Sequence, residues 1–210
     1  MSARGLLDEL GRELARVEQA IRAHRYLAAA PDRASLCAFV GEQYTILRSD
    51  RRSFAHLAAR FPGAPAGDLF IGLAQGEGEA LTRLLALAGS LDLQEPSLVA
   101  YEPQPGCQAY SAYVAWLALN GSRAEVAVAF LANLAAWGKN CRRLAALLGD
   151  RCDTSFFEFF AEPASGFEEL AVAVADQGLA AGDPPARARR AARLLQAYEL
   201  LFWDTLADAV

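Results

Sequence analysis

Tyr198-Glu199-Leu200-Leu201-Phe202-Trp203-Asp204 sets a carboxylate inside an aromatic and aliphatic run. An acid in such company is costly to keep ionised. It needs a partner, a raised pKa or a ligand, unless Glu199 turns to the wet face of its helix. One carboxyl with a raised pKa can act as both general acid and general base. Three further segments pair rings with polar groups. Glu42-Gln43-Tyr44 is the first. Tyr110 and Tyr113 stand three residues apart on one helix face, with Trp116 a turn beyond. Asn133 and Trp137 stand four apart, again on one face. Such stripes ordinarily build a core. Gathered from four helices, they can also line a cavity for a flat heterocycle, rings sandwiching it and amide or carboxylate groups holding its edge.

Other chemistries lack their residues. A di-iron carboxylate bundle needs Glu-x-x-His, but Ile21 and Ser53 precede the two histidines, His24 and His56, by three residues. There is no Cys-x-x-Cys and no pair of histidines one helical turn apart. A haem could take one axial His, but His24 follows a mostly charged helix face, which fits a structural or surface role better. No phosphate-cradling glycine loop and no serine nucleophile elbow occurs. Neither metal nor cofactor is expected.

The elements that must position these residues read as helices throughout. Leu6, Leu10, Leu14, Val17 and Ile21 form one apolar stripe, predicting a helix from Leu6 to Tyr26. Asp32 is placed to cap a second, from Ala34 to Phe61, with a kink near Ser49-Asp50 where charge interrupts the stripe. A third runs from Asp68 to Ala88, with Gly72, Gly76 and Gly78 permitting close helix contact. Pro96, Pro103 and Pro105 make the span from Ser90 to Gly106 a connector. A fourth helix, Cys107 to Leu119, ends at Asn120-Gly121 as a C-terminal cap, and a fifth covers Ser122 to Leu148. A short aromatic segment, Phe156 to Phe160, precedes a helix from Ser165 to Gln177. The last helix spans Ala186 to Asp208. No alternating strand pattern appears. The expectation is one all-α domain over residues 1–210, a compact bundle of seven or eight helices.

Composition narrows the partners. Hydrophobic residues make up 54% of 210, enough for a real core, and the net charge is -5. That balance disfavours nucleic acid, and the cluster Arg187, Arg189, Arg190 and Arg193 reads as a solvated face. No apolar run reaches membrane-spanning length, and the N-terminus turns acidic at once, so the expected location is the cytoplasm. Cys37, Cys107, Cys141 and Cys152 lack paired spacing and read as free thiols.

Taken in order, the segments resemble the TenA-like family of the haem-oxygenase-like superfamily, an all-α fold. The terminal Tyr198-Glu199-Leu200-Leu201-Phe202-Trp203-Asp204 is similar to that family's Tyr-Glu-x-x-Phe-Trp-Asp ending. Ala109-Tyr110-Ser111-Ala112-Tyr113 is similar to its Ala-Tyr-x-x-Tyr helix, followed at the family's distance by Gly121-Ser122 and Glu125. Phe39-Val40-Gly41-Glu42-Gln43-Tyr44-Thr45-Ile46-Leu47 resembles its second-helix segment, and Phe156 through Phe167 its Trp-Ile…Phe segment.

That resemblance implies a hydrolase of thiamine-related aminopyrimidines or a similar small nitrogen heterocycle. Glu199 is implied as general acid/base and Tyr110 as its catalytic companion, with tuning from Glu42. Gln43, Tyr44, Tyr113, Asn133, Trp137 and Trp203 are implied as substrate-binding. The family's nucleophilic Cys falls on Asn133, counting back from Arg142-Arg143-Leu144. Its second-helix Asp falls on Gln43 and a stacking Tyr on Ile46. Asn133 cannot form a thiolate adduct, and Cys141 lies two helical turns away. A branch of the family lacking the Cys keeps hydrolytic chemistry. The alternatives are a non-catalytic small-molecule-binding homologue and an oligomeric interaction protein with a filled pocket. The family habit is a homodimer or homotetramer.

Overall fold

The computed structural model describes residues 1–162 and 165–209, and among them every regular element is helical. Nine α-helices follow in order: α1 (Ala3–Arg22), α2 (Arg33–Arg60), α3 (Ala66–Ser90), α4 (Glu95–Val99), α5 (Pro105–Asn120), α6 (Arg123–Leu148), α7 (Ser155–Ala161), α8 (Phe167–Ala180) and α9 (Pro185–Asp208). The all-α expectation holds, with nine helices among the described residues where seven or eight were expected. α4 lies inside the span read as connector. Its Pro96 stands in the first turn, where the missing N–H has no intrahelical acceptor anyway. α7 is the aromatic segment, wound into two turns.

Local chemistry sets the starts. Asp32 accepts from the Ser35 amide at 2.8 Å and opens α2. Ser122 and Glu125 form a reciprocal capping box at the start of α6, which accounts for that Ser and Glu spacing. α1 ends earlier than its stripe suggested. A 3₁₀ turn, Arg25–Leu27, takes over, and His24 holds it by accepting the Tyr26 amide on Nδ1 while Nε2 meets Asp204 at 3.0 Å. That is a structural role for His24; His56 is exposed.

One expectation needs correction. α2 runs unbroken through Ser49-Asp50, because Asp50 and Ser53 are buried and continue the inward stripe in polar form. Gly121 caps α5 as expected, in an extended conformation with its N–H bonded to the Leu117 carbonyl; a Cβ there would sit 2.7 Å from that oxygen. Arg187, Arg190 and Arg193 are exposed, as a solvated face requires, and Arg187, Arg189 and Arg193 also meet acids there. They pair with Glu125, Glu9 and Glu13 and tie α9 to α6 and α1.

α6 and α9 form the centre. α6 packs on α1, α7, α8 and α9, while α9 also packs on α5; α2 and α3 lie side by side, with α2 packed on α5 and α3 on α7. Close approach is built in at Gly41, where a Cβ would stand 2.6 Å from the Tyr101 ring. All four cysteines are free thiols. Among the described residues no helix is long and apolar enough to cross a membrane.

Candidate functional site

A cavity of about 1120 Å³ lies between α1, α2, α3, α6 and α9, with α5, α7 and α8 closing its ends. Exposed residues such as Asp68 and Glu168 share its lining, so it opens to solvent. The filled-pocket alternative is thereby corrected. Glycines help keep the space free: Gly11, Gly72 and Gly76 line it, and a Cβ on any of them would meet nothing within 4 Å. The expected role of Gly72 and Gly76 in close helix contact is thus reversed. Gly78 alone lies close to a neighbour, the Arg51 guanidinium.

Glu199 sits on the cavity wall, 2% exposed. Its two oxygens are held separately. Trp203, one turn along α9, donates its indole N–H to Oε1 at 3.3 Å, and Asn133 of α6 donates its amide to Oε2. The Asn133 carbonyl oxygen in turn accepts from the Tyr110 hydroxyl at 2.9 Å. Tyr110, Asn133 and Glu199 therefore form one hydrogen-bonded chain from three helices. Gln43 and Trp137 join them on the wall. Trp137 stands edge-on to Phe160 and Phe202, with centroids 5.8 and 6.2 Å away, so its indole is wedged in place.

Burial decides the protonation states. It pushes the Glu199 carboxyl from the ordinary 4.5 up to about 8, outweighing the opposing pull of the Trp203 and Asn133 hydrogen bonds. Burial also raises the Tyr110 phenol, further raised by Asp50, Glu199 and Glu77, so Tyr110 stays a donor. The Cys141 thiol is pushed up by burial and by Glu199, and it lies in the core away from the cavity lining.

The linkage has a definite sign. Between about 4.5 and 8 the folded chain holds a Glu199 proton that the unfolded chain releases, so stability is lost as pH rises through that window. Denaturant unfolding at pH 5, 6, 7 and 8 should show Glu199→Gln with a shallower decline than the wild type. The difference should be about one proton's worth, roughly 1.4 kcal/mol per pH unit. Parallel declines would show that the carboxyl is ionised in the fold.

Some expected site residues stand elsewhere. Tyr44 does not line the cavity; its hydroxyl donates to Glu95 of α4 at 2.9 Å. Tyr113 stacks on Trp116, 5.7 Å and 7° apart, and packs on Tyr198 beyond the cavity lining. Its spacing of three from Tyr110 fans the two side chains far enough apart to reach different surroundings. Trp203 is fully buried behind Glu199, so it orients the carboxyl and presents no face to a ligand. Glu42 leaves Glu199 alone. It is buried and accepts from the Tyr101 hydroxyl, the Gln104 amide and the Gln108 side chain, fixing the start of α5.

Asp50, Glu77 and Gln196 also line the cavity, beyond the residues expected there. Asp50 follows Gln43 by seven residues, two turns on the same face, and Gln196 precedes Glu199 by one turn, so spacing could have found both. Glu77 lies in a glycine-rich stretch whose facing the sequence leaves open. Among the described residues no group of three or more His, Cys, Asp or Glu gathers to hold a metal ion.

A profile of the TENA/THI-4/PQQC family matches residues 24–209. No curated protein matches the chain. Among solved structures, the chain is similar to a TenA homologue from P. horikoshii OT3, at 18% identity over 98% of this chain and 99% of that one, TM-score 0.80. A TenA homologue from Pseudomonas syringae pv. tomato superposes with TM-score 0.81 at 14% identity, covering 99% and 96%. A domain with a heme oxygenase-like fold from Shewanella denitrificans gives TM-score 0.70 at 14% identity, covering 96% and 90%.

Proposed function

The chain belongs to the TENA/THI-4/PQQC family, and on that footing we propose that it hydrolyses a C–N bond of a thiamine-related aminopyrimidine or a similar small nitrogen heterocycle. One observation carries the reading. A buried carboxyl, Glu199, faces an open cavity with both oxygens fixed and with a pKa of about 8. Such a group is protonated at neutral pH and still close enough to ionising to move a proton either way.

In the step we assign, the Glu199 carboxyl gives its proton to the leaving nitrogen as the C–N bond breaks. The resulting carboxylate takes a proton from water as the C–O bond forms. An amine and water become an alcohol and ammonia, and the carboxyl is restored. Asn133 and Trp203 hold the carboxyl in place, and Tyr110 holds Asn133. Gln43 is assigned to the ring edge and Trp137 to a ring face. Asn133 is assigned to the position of the family's nucleophilic Cys, so attack is by water and no covalent adduct forms.

The test is ammonia release from thiamine-derived aminopyrimidines that bear a primary amine, with the alcohol product identified by mass spectrometry. Release of both in equal amounts supports the proposal. The second reading, binding without turnover, draws on a cavity lining that holds no thiol or imidazole among the described residues. It predicts a raised unfolding midpoint with these compounds and no ammonia. The absence of both turnover and stabilisation would remove the heterocycle class from consideration.

A further inference from the structure

The cavity has a second acidic feature on the wall formed by α2 and α3. Asp50 of α2 is 3% exposed and lines the cavity, and its Oδ1 is buried with no hydrogen-bond partner. Glu77 of α3 lines the same space. The two carboxyls interact: burial raises both pKa values well above the ordinary range, and Asp50 raises that of Glu77 further. No cation draws either back down. The neighbouring Arg51 lies instead against Gly78, where a Cβ would be 3.2 Å from its Cζ. A third acceptor, Gln196 Oε1, is likewise buried and unpartnered on the cavity lining, while the Gln196 amide nitrogen donates to the Ala132 carbonyl at 2.7 Å.

A buried acceptor left without a donor is costly, and a charged one more so. Two such acceptors on one hollow, both lacking donors of their own, describe a ligand rich in N–H groups. The adjacent α3 wall leaves room for it, since Gly72 and Gly76 extend no side chain into the space. Among the described residues no group of three or more His, Cys, Asp or Glu gathers here to hold a metal ion. An organic cation needs only the charge and the acceptors, and on entering it would let the pair release the proton that burial makes it keep.

We propose that Asp50 and Glu77 form a docking site for an ammonium or amidinium group carried on a small flat ligand, with Asp50 Oδ1 and Gln196 Oε1 accepting its N–H bonds. The ligand class of the cavity is then an organic cation, its charge held on the α2–α3 wall and its reacting end turned to Glu199. This rests on the reading of the cavity as a small-molecule site, and it stands or falls apart from turnover.

Benzamidine and benzamide separate the cases, because they share a shape and differ in charge. Isothermal titration at pH 7.5 should show benzamidine binding wild type at least about tenfold more tightly than benzamide, the worth of one charge-assisted hydrogen bond. Asp50→Asn should reduce that preference to near unity, and Glu199→Gln should leave it in place. Loss of an unpaired buried carboxyl should leave the Asp50→Asn unfolding midpoint at or above wild type. If that variant does not fold, Glu77→Gln should show the same loss of preference. Benzamide binding as well as benzamidine, a preference that survives both substitutions, or no binding of benzamidine at all would overturn the inference. Ammonia release without any cation preference would sink this proposal and leave the hydrolase reading standing. An Asp50-dependent preference with no ammonia released would do the reverse.

Discussion

Glu199→Gln should lower ammonia release from an aminopyrimidine by about 10²- to 10⁴-fold, the usual contribution of a positioned general acid–base group. Affinity for the same compound should change little. The substitution keeps shape and volume and removes only the titrating proton. It is also well tolerated by its neighbours. The Trp203 indole can still donate to the Gln carbonyl oxygen. The Gln amide can donate to Asn133 Oδ1 once that side chain rotates by half a turn, and Asn133 Nδ2 then donates to the Tyr110 oxygen. Only the Tyr110 hydroxyl hydrogen gives up its acceptor in the chain Tyr110–Asn133–Glu199, and Tyr110 lines the cavity, where water can take it. The same rotation accommodates the protonated carboxyl, so Asn133 suits both protonation states of Glu199. The measurement is steady-state turnover beside a binding titration of each protein. Turnover that survives the change would remove Glu199 from the chemistry and leave it a structural acid.

Glu42→Leu should cost roughly 3 kcal/mol or more in denaturant unfolding, because three donors lose one acceptor group at once. Those donors are the Tyr101 hydroxyl at 3.0 Å, the Gln104 amide at 2.7 Å and the Gln108 side chain at 2.8 Å. Leu has nearly the right volume, so the loss reports hydrogen bonding and not a void. For a chain of this size, each kcal/mol moves the melting midpoint by about 2–4 °C. Glu42→Gln should cost far less, about 1 kcal/mol, because its carbonyl can still serve two donors and the Gln108 amide can turn to meet its nitrogen. Neither change should alter ligand affinity, since Glu42 does not face the cavity. Equal stability of Glu42→Leu and wild type would show that these donors reach water instead.

These two acids show how far residue patterns reach. Both stand among apolar neighbours in the sequence, and both are buried. One lines a cavity with a raised pKa; the other is surrounded by donors at the start of α5. Periodicity places a residue on a helix face, but the neighbour on that face comes from a helix distant in sequence. Gln104 and Gln108 lie about sixty residues from Glu42, and Asn133 lies 66 from Glu199. The aromatic pair Tyr110 and Tyr113 parted for the same reason: one faces α6, the other the outer ring of Tyr198 and Trp116.

The apolar spacing, the capping residues and the prolines by themselves determined an all-α chain and most helix boundaries, because helix formation depends on contacts within a few residues; the motifs at Ala109–Tyr113 and Tyr198–Asp204 carried the family likeness. Packing alone decided which buried acid meets a donor, which meets only space, and that Asp50 and Glu77 share a wall. Burial costs and hydrogen bonds depend on what the fold brings from elsewhere, and no local pattern along one helix carries that information.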